Sequence, residues 1–361
     1  MNPNGVRIGT VGVGRFGITH LRAFKDMERT SNVKLVAAAD LDAGKRATIT
    51  NQHEITAYQD YKEMIKREHL DGISVATPDH CHKDIVLYAL CHGLHVLAEK
   101  PLDISSSGTR ELVSKAEQQG LLLQVDFHKR YDPFHAEIKQ LLQENLLGDV
   151  LYGYCYMEDK IVVPRDWFST WASQSSPMWF LGSHFIDLMS WLINAKAVGV
   201  YAQGQKKKLV SLGIDTYDAI QSTVTFNNGA VISFHSSWIL PEPFPAIVNQ
   251  GFRLVGTEGI VEIDSENRGA FSCVASKASV TTHNAGFLYP VRKPDRSIGF
   301  EGYGIKSIQH FAENVLYLKN GGSLKGIENT YPSGRDAHEV TKVIEAIHNS
   351  IQSGTKITLS P

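Results

Sequence analysis

A lysine that follows an apolar segment is the first residue of this sequence with the potential for chemistry. Residues 94–102 read LHVLAEKPL, in which Lys100 ends a stretch with the composition of a buried strand. A glycine-rich turn at residues 12–17 precedes it in the chain. In open α/β sheets, ligands bind at the carboxyl ends of the strands, in the crevice beside the cofactor. We therefore expect Lys100 to be catalytic.

The glycine-rich turn has the spacing of a dinucleotide site. It reads GVGRFG between an apolar strand and a helical stretch, which is the context that a GxGxxG motif requires. Glycines permit a tight turn and a close approach of the backbone, and the start of a helix offers N–H groups to a pyrophosphate. The alternative is a purely structural turn. The expected cofactor contacts in this motif are Gly12, Gly14, Arg15, Phe16 and Gly17.

An acidic residue at the end of the next strand bears on the choice of cofactor. Asp40 follows the last glycine of the turn by about 20 residues, where a carboxylate accepts hydrogen bonds from the adenosine ribose. The same carboxylate would repel a 2′-phosphate. We expect NAD rather than NADP, although Arg15 with Lys45 or Arg46 could partly offset the repulsion.

A polar segment at residues 77–82, TPDHCH, follows a further apolar strand and is expected to line the same crevice. Thr77, Pro78 and His82 are the expected cofactor contacts. His82 could instead cap the helix that starts there, or have a purely structural role. The segment lacks further ligands at the spacing that zinc requires, so we expect no metal.

The composition favours a small-molecule partner. The 361 residues include 36 Lys+Arg and 38 Asp+Glu, with a formal net charge of -2, so no nucleic-acid surface is expected. Four cysteines without CxxC spacing indicate reduced thiols. The first strand starts too early for a signal peptide, and no apolar run approaches the roughly 18 residues of a membrane span. We expect a cytoplasmic protein that binds no membrane.

The chain length and the hydrophobic pattern indicate two domains of different construction. Up to residue 127, nearly continuous apolar segments alternate with helical stretches, which indicates a doubly wound parallel sheet. Beyond it, hairpin signals at 228–229 and 258–259 indicate antiparallel strands. A helix capped by Ser176 interrupts these strands. The expected domains are 1–128 for NAD and 129–361 for substrate and oligomerisation, with C-terminal helices that could pack back toward the first domain.

Several motifs together resemble the Gfo/Idh/MocA oxidoreductases, the family of glucose-fructose oxidoreductase and inositol dehydrogenase. They are the GxGxxG turn, TP with His82, the segment LHVLAEKP, Arg130 within FHKRYDP, and GSHFID at residues 182–187. The resemblance spans essentially the whole chain. It implies an N-terminal Rossmann domain, a C-terminal α/β domain with a large open, mainly antiparallel sheet, and a homodimer or homotetramer built through that sheet. It also implies a nicotinamide beside Lys100 and a cis peptide before Pro101.

Most relatives in that family oxidise a hydroxyl of a sugar or cyclitol, or run the reverse reduction. Loss of hydride from a carbinol carbon requires a base for the hydroxyl proton, and Lys100 with His184 can supply it. The alternative for Lys100 is an ion pair with Glu99. Glu99 is otherwise expected to orient the lysine or to contact the nicotinamide ribose, and Arg130 is a further expected cofactor contact.

Two residues on the helix after Ser176 are candidates for binding the substrate. His184 and Asp187 are three positions apart and share a helix face, so they can project together into a pocket. His184 could instead be a core histidine, and Asp187 could serve only to fix the imidazole. Many relatives carry an aspartate four residues before this histidine, whereas this chain has Phe180 there. The usual aspartate–histidine arrangement is therefore absent.

Three other residues complete the expected substrate site. His128 is a candidate for the missing polar contact, with a structural hydrogen bond as the alternative. Trp167 and Trp179 are candidates for stacking on a sugar, with core or interface packing as the alternative. The sequence thus predicts an NAD-dependent dehydrogenase for a sugar or polyol. The alternatives are a non-catalytic NAD-sensing regulator and an NAD-dependent, redox-neutral glycosidase of the same fold.

Overall fold

The structure is a computed structural model and describes residues 5–267, 269–276, 279–284, 286–293 and 296–360. Its described strands, in chain order, are β1 (Val6–Val11), β2 (Val33–Ala39), β3 (Thr56–Tyr58), β4 (Gly72–Val75), β5 (His95–Ala98), β6 (Leu123–Val125), β7 (Val150–Lys160), β8 (Ala197–Gln205), β9 (Ala219–Phe226), β10 (Val231–Leu240), β11 (Val248–Gly256), β12 (Ile260–Asp264), β13 (Phe271–Ser272), β14 (Thr281–Thr282), β15 (Tyr289–Arg292), β16 (Ile298–Glu301) and β17 (Ile357–Thr358).

The described helices, in the same order, are α1 (Arg15–Met27), α2 (Ala43–His53), α3 (Tyr61–Arg67), α4 (His82–Cys91), α5 (Ser106–Gln119), α6 (Pro133–Gln143), α7 (Ser183–Ile193), α8 (Lys208–Ser211), α9 (Tyr303–Lys319) and α10 (Gly334–Ser353). No helix in these ranges is both long and apolar enough to cross a membrane. The chain forms two compact units, one of residues 1–131 and 286–338, the other of residues 132–285 and 339–361.

The first unit has a parallel sheet in the order β3-β2-β1-β4-β5-β6. This is the doubly wound Rossmann order. The strands stay parallel, but the order in which the chain adds them to the sheet reverses between β1 and β4. Strands β1, β4 and β5 are almost entirely buried because both faces of the sheet are covered, and this explains their nearly continuous apolar sequences. The predicted fold of the N-terminal part is confirmed, with β3 as a short additional edge strand.

The first unit also contains α9, which the sequence boundary at residue 128 assigned to the second domain. Ile308, Phe311 and Val315 of α9 lie in the same buried cluster as Leu21 and Phe24 of α1. The apolar residues of α9 recur at helical spacing and therefore form a stripe that needs a partner. The structure supplies that partner in α1, so residues 286–338 belong to the first unit.

The second unit has a seven-stranded sheet in the order β12-β11-β7-β10-β9-β8-β17. Its neighbouring strands are antiparallel except for the parallel pair β7 and β10. Both predicted hairpins form, since Gly229 joins β9 to β10 with a φ of +90° and β11 pairs with β12. The predicted mainly antiparallel sheet is confirmed. Strand β8, with two glycines and only partial alternation, is absent from the sequence interpretation.

The predicted helix after Ser176 consists of two parts. Residues Met178–Gly182 form a π-helical turn, and α7 continues from Ser183 to Ile193. The Ser176 hydroxyl accepts a hydrogen bond from the Trp179 N–H at 3.2 Å, which agrees with its predicted capping role. π-Helical turns occur frequently at functional sites, because they turn the following side chains relative to a regular helix.

Candidate active site

The three glycines of the turn at residues 12–17 differ in the space that a side chain would have at each position. Gly12 has a φ of +85°, and a Cβ there would overlap the carbonyl oxygen of Ala76. A Cβ on Gly17 would overlap the carbonyl oxygen of Gly12. A Cβ on Gly14 would have no neighbour within 4 Å and would extend into open space in front of α1. Gly12 and Gly17 therefore shape the turn, and Gly14 leaves room for a ligand.

The start of α1 lies directly behind that space. Gly14 is the N-cap residue of α1, and no side chain caps the helix there. The first N–H groups of a helix have no partner within the helix and favour an anion. This combination of open space and helix start fits the pyrophosphate of a dinucleotide, as the sequence predicts.

Asp40 lies beside the turn, at the carboxyl end of β2. Its Oδ2 accepts a hydrogen bond from the N–H of Val13 at 2.9 Å, and its Oδ1 accepts one from the N–H of Asp42 at 2.9 Å. The ammonium group of Lys45 is 3.7 Å from Oδ2. Two backbone hydrogen bonds therefore fix the carboxylate next to the glycine turn, in a position suited to reading the ribose hydroxyls.

His82 connects the two loops that follow β4 and β5. The side chain is fully buried, with Nε2 at 2.8 Å from the carbonyl oxygen of Thr77 and Nδ1 at 2.6 Å from that of Pro101. Both carbonyls can only accept, so each contact is a hydrogen bond when the ring nitrogen that faces it carries a proton. Of the roles considered for His82, the structure supports the structural one, which ties together two loops at the carboxyl edge of the sheet.

Lys100 lies immediately after β5 and is only 6% exposed. The peptide bond between Lys100 and Pro101 is cis, as the family resemblance implies. The N–H of Lys100 lies 3.3 Å from Oε2 of Glu99. The chain therefore places a buried lysine at the same carboxyl edge that carries the glycine turn.

Glu99 is engaged inside the first unit. Its Oε1 accepts a hydrogen bond from Nε2 of His20 on α1 at 3.0 Å. Burial alone would raise the pKa of Glu99, but the hydrogen bond and charge of His20 and the charge of Lys100 lower it to about 2. Glu99 is thus an ionised carboxylate next to the lysine in the chain, and its predicted role of orienting the lysine remains a prediction.

Two residues of this region are missing from the sequence interpretation. They are His20 and Asp126, which together with Glu99 form a buried cluster whose facing N and O atoms lie within 4.8 Å of one another. These are residue types that could hold a metal ion. The signals in the sequence were a histidine three positions after Gly17 and an acid within the apolar segment LLLQVDF, where a charged residue is unusual.

His128 and Arg130 both lie in the first unit, in the turn after β6. The His128 imidazole is 5% exposed and packs among the rings of Phe16, Phe287 and Tyr303, with centroid distances of 6.5, 5.4 and 5.8 Å. This places His128 beside the glycine turn, which carries Phe16. Its predicted substrate contact remains a prediction.

Arg130 forms an ion pair with Asp336 at the start of α10, with Nη2 3.3 Å from Oδ1. Burial would raise the pKa of Asp336, but Arg130 and hydrogen bonds from Ser333 lower it overall. The guanidinium is therefore paired with at least one carboxylate, and its predicted contact with the cofactor remains a prediction.

In the second unit, His184 and Asp187 lie on the first turns of α7 and are 4% and 1% exposed. The predicted shared face is thus a buried one. Trp179, in the preceding π-helical turn, is 8% exposed and stacks on His348 at a centroid distance of 5.5 Å. The structure therefore gives Trp179 a packing role, and of the two predicted stacking tryptophans Trp167 is the more accessible.

Phe180 belongs to a group of aromatic rings in the second unit. Its ring lies 4.9 Å from that of Phe168, 6.2 Å from Trp171 and 6.4 Å from Trp238. The position that carries an aspartate in many relatives is thus surrounded by apolar rings. Asp187, one turn after His184 on the same helix, is the carboxylate nearest to that histidine along α7.

Comparison with known protein families decides the affiliation. The family model for an oxidoreductase family with an NAD-binding Rossmann fold, GFO_IDH_MocA, matches residues 6–127, and the model of the GFO/IDH/MocA C-terminal domain matches residues 135–262. The chain belongs to the Gfo/Idh/MocA family. As a Gfo/Idh/MocA oxidoreductase it uses NAD, and the glycine turn with Asp40 lies within the matched Rossmann segment.

Individual relatives are similar to this chain at a moderate level. The rhizopine catabolism protein MocA of Rhizobium meliloti is 27% identical over 62% of this chain and 68% of its own length. Inositol 2-dehydrogenase of Rubrobacter xylanophilus is 26% identical over 72% of this chain and 71% of its own. The crystal structure of scyllo-inositol dehydrogenase from Lactobacillus casei with NAD(H) and scyllo-inositol has a TM-score of 0.78 at 17% identity, covering 98% and 99% of the two chains. The last similarity concerns the fold.

Proposed function

We propose that this Gfo/Idh/MocA oxidoreductase transfers a hydride between NAD and a hydroxyl-bearing carbon of a sugar, sugar derivative or cyclitol. The observation that carries the proposal is the arrangement at the carboxyl edge of the first unit's sheet. There the open space at Gly14, the carboxylate of Asp40 and the buried Lys100 follow three strands of one sheet. The names of relatives, which include several inositol dehydrogenases, support the substrate class.

The cofactor supplies the hydride acceptor when bound. In the oxidation direction, the C–H bond of the carbinol breaks with its electron pair leaving as hydride, and the O–H proton must go to a base as the carbonyl forms. We assign that base role to Lys100, with the neutral amine as the accepting form. In this proposal Glu99 holds the lysine backbone in place, through its carboxylate 3.3 Å from the N–H of Lys100.

His184 is the second proton-handling residue in this proposal. Because Phe180 stands where an aspartate is usual, the imidazole has no carboxylate one turn before it, and we assign the orienting role to Asp187. Trp167 is the expected stacking surface for a sugar ring.

The experiment is a substrate screen by absorbance at 340 nm. Purified enzyme is mixed with NAD or NADP and a panel of aldoses, ketoses, uronates, glycosides and inositols, with Lys100→Met measured in parallel. We expect NADH formation with NAD, lost in the variant while NADH binding is retained. If no substrate of the panel gives NADH formation while NADH binding is intact, the result would favour a regulator. Cleavage of an aryl glycoside without net NADH would favour the redox-neutral glycosidase.

We also propose that the enzyme is a homo-oligomer formed through the outer face of the second unit's sheet. The strand register places Tyr201, Ser233, Tyr154 and Arg253 in one row across β8, β10, β7 and β11, with Thr223 of β9 between the first two. Both tyrosines are 43% exposed, and Tyr152 is 55% exposed. Sedimentation analysis of wild type and Tyr154→Glu tests this, with dissociation of the variant as the expected result and an unchanged mass as the contrary one.

A further inference from the structure

The buried cluster of His20, Glu99 and Asp126 adjoins the proposed base, because Glu99 precedes Lys100 in the chain, and neither His20 nor Asp126 has a role in the proposed reaction. All three side chains are in the first unit and at most 8% exposed. His20 comes from α1, Glu99 follows β5 and Asp126 follows β6. Asp126 is bound to this region through its N–H, which donates to the carbonyl oxygen of Ala98 at 2.8 Å.

Hydrogen bonds distinguish the two carboxyl groups. Glu99 accepts from His20 Nε2 at 3.0 Å and lies 3.3 Å from the N–H of Lys100. Asp126 Oδ2 is 3.9 Å from the same His20 nitrogen, beyond hydrogen-bonding distance. Neither oxygen of Asp126 makes a hydrogen bond of normal geometry among the described residues, although the Ser307 hydroxyl and the Glu99 carboxyl lie near enough to affect its pKa. An ionised carboxylate that is buried in this way is costly, because little replaces the water it has lost.

Two neighbouring buried carboxyl groups cannot both remain ionised at low cost, so one of them keeps a proton. The hydrogen bonds place the negative charge on Glu99 and leave the proton to Asp126. The direction of the pKa shift agrees, since burial and then the charge of Glu99 raise the pKa of Asp126 well above its ordinary range. His20 Nε2 lies 3.0 Å from Glu99 Oε1, and its Nδ1 has no hydrogen-bond partner among the described residues.

We propose that Asp126 is a protonated acid at neutral pH, so that one carboxylate charge, that of Glu99, acts on Lys100 and the lysine can release its proton. With both groups ionised, two negative charges would hold Lys100 as the ammonium form and oppose its action as a base. Asp126 is in this sense a positioning residue that acts through Glu99 and Lys100. The proposal rests on the proposed function only where it concerns the base.

Other titratable groups also act on this cluster. His128 lies close enough to contribute to the charge environment of Glu99, and Tyr131 in the same turn has its pKa raised by burial and then by Asp126. From α9, the uncharged hydroxyl of Ser307 lowers the pKa of Asp126 and so partly offsets the effect of burial. Lys100 lowers the pKa of both carboxyl groups through its charge, so its charge state and theirs are coupled.

The first test does not depend on catalysis. Infrared difference spectra of wild type and Asp126→Asn at neutral pH should contain the carbonyl stretch of one protonated carboxylic acid in the wild type only. Selective ¹³C labelling of aspartate carboxyl groups in the wild-type protein detects the same proton if the variant does not fold. A spectrum with only ionised aspartates would overturn the proposal, whatever the enzyme's substrate.

The second test compares two isosteric variants of the same cluster. On the substrate found in the screen, we expect Glu99→Gln to shift the acid limb of the kcat/KM profile down by about one to three pH units, because it removes a charge beside Lys100. Asp126→Asn should leave that limb in place, since it replaces one neutral group by another. An equal shift in both variants would overturn the proposal. Mass spectrometry that detects one divalent metal ion per chain in the wild type and none in Asp126→Asn would also overturn the proposal.

If the acid limb belongs to another residue, neither variant will move it, while the infrared band will persist. That result would refute Lys100 as the base and leave the protonated Asp126 intact. The two failures are therefore distinguishable.

Discussion

The substitution Gly14→Ala separates cofactor binding from folding in the glycine turn. Gly14 has a φ of -70°, which any residue can adopt, and a methyl group there would have no neighbour within 4 Å. Replacing glycine by alanine at a compatible position stabilises a protein by about 0.4–1 kcal/mol, because the unfolded chain has fewer conformations. For a unit of this size, about 1 kcal/mol corresponds to roughly 2–4 °C in Tm. Gly14 is also the N-cap of α1, where alanine is less favourable than glycine, so the two effects oppose each other and we expect a Tm within a few degrees of the wild-type value.

The same methyl group should weaken NADH binding, because it would occupy the space that the pyrophosphate needs in front of α1. We expect a loss of at least about tenfold, or about 1.4 kcal/mol. Calorimetry without cofactor gives the Tm, and titration of NADH fluorescence gives the Kd. Gly17→Ala is the matched control, since its methyl would overlap the carbonyl oxygen of Gly12 and should cost about 1–3 kcal/mol of stability. A Gly14→Ala variant with wild-type NADH affinity, or one as unstable as Gly17→Ala, would refute this interpretation of the turn.

Two further substitutions test individual groups. Asp40→Asn keeps an acceptor for the N–H of Val13 but removes the negative charge, so the preference for NADH over NADPH, measured as a ratio of Kd values, should fall by about tenfold or more. Burial lowers the pKa of His348 below its ordinary 6.5, partly offset by its hydrogen bond to Ile344, so protons bind preferentially to the unfolded chain. Stability should therefore decline as the pH falls below 6.5, and urea titrations should show a smaller decline for His348→Gln; an equal decline would contradict the assignment.

The fold could be predicted where local pattern decides it. The buried strands of the first unit have nearly uniform apolar sequences, and the two hairpins have their turn residues, so both features follow from neighbouring positions. The parallel pairing of β7 with β10 depends on strands about 80 residues apart, which no local pattern encodes. Likewise, the apolar stripe of α9 shows that the helix must pack but does not show that its partner is α1.

The residues of the candidate site divide in the same way, into those that the local sequence predicts and those that only the fold brings together. The positions of the glycine turn, Asp40 and Lys100 could be predicted because each lies at a recognisable strand end. The partners of Glu99 could not, because His20 is 79 residues earlier in the chain and meets it only through the packing of α1 on the sheet. His82 is an intermediate case, since its position after β4 was evident but its contact with Pro101 requires the fold.

The most direct test of the central claim is the rate of hydride transfer in a single turnover without Lys100. Enzyme loaded with NAD is mixed with the best substrate of the screen, and NADH formation is followed at 340 nm for wild type and Lys100→Met. Loss of a general base reduces the rate by about 10²–10⁴-fold, which is the expected result with NADH affinity unchanged. A Lys100→Met rate close to that of the wild type would contradict the assignment of Lys100 as the base.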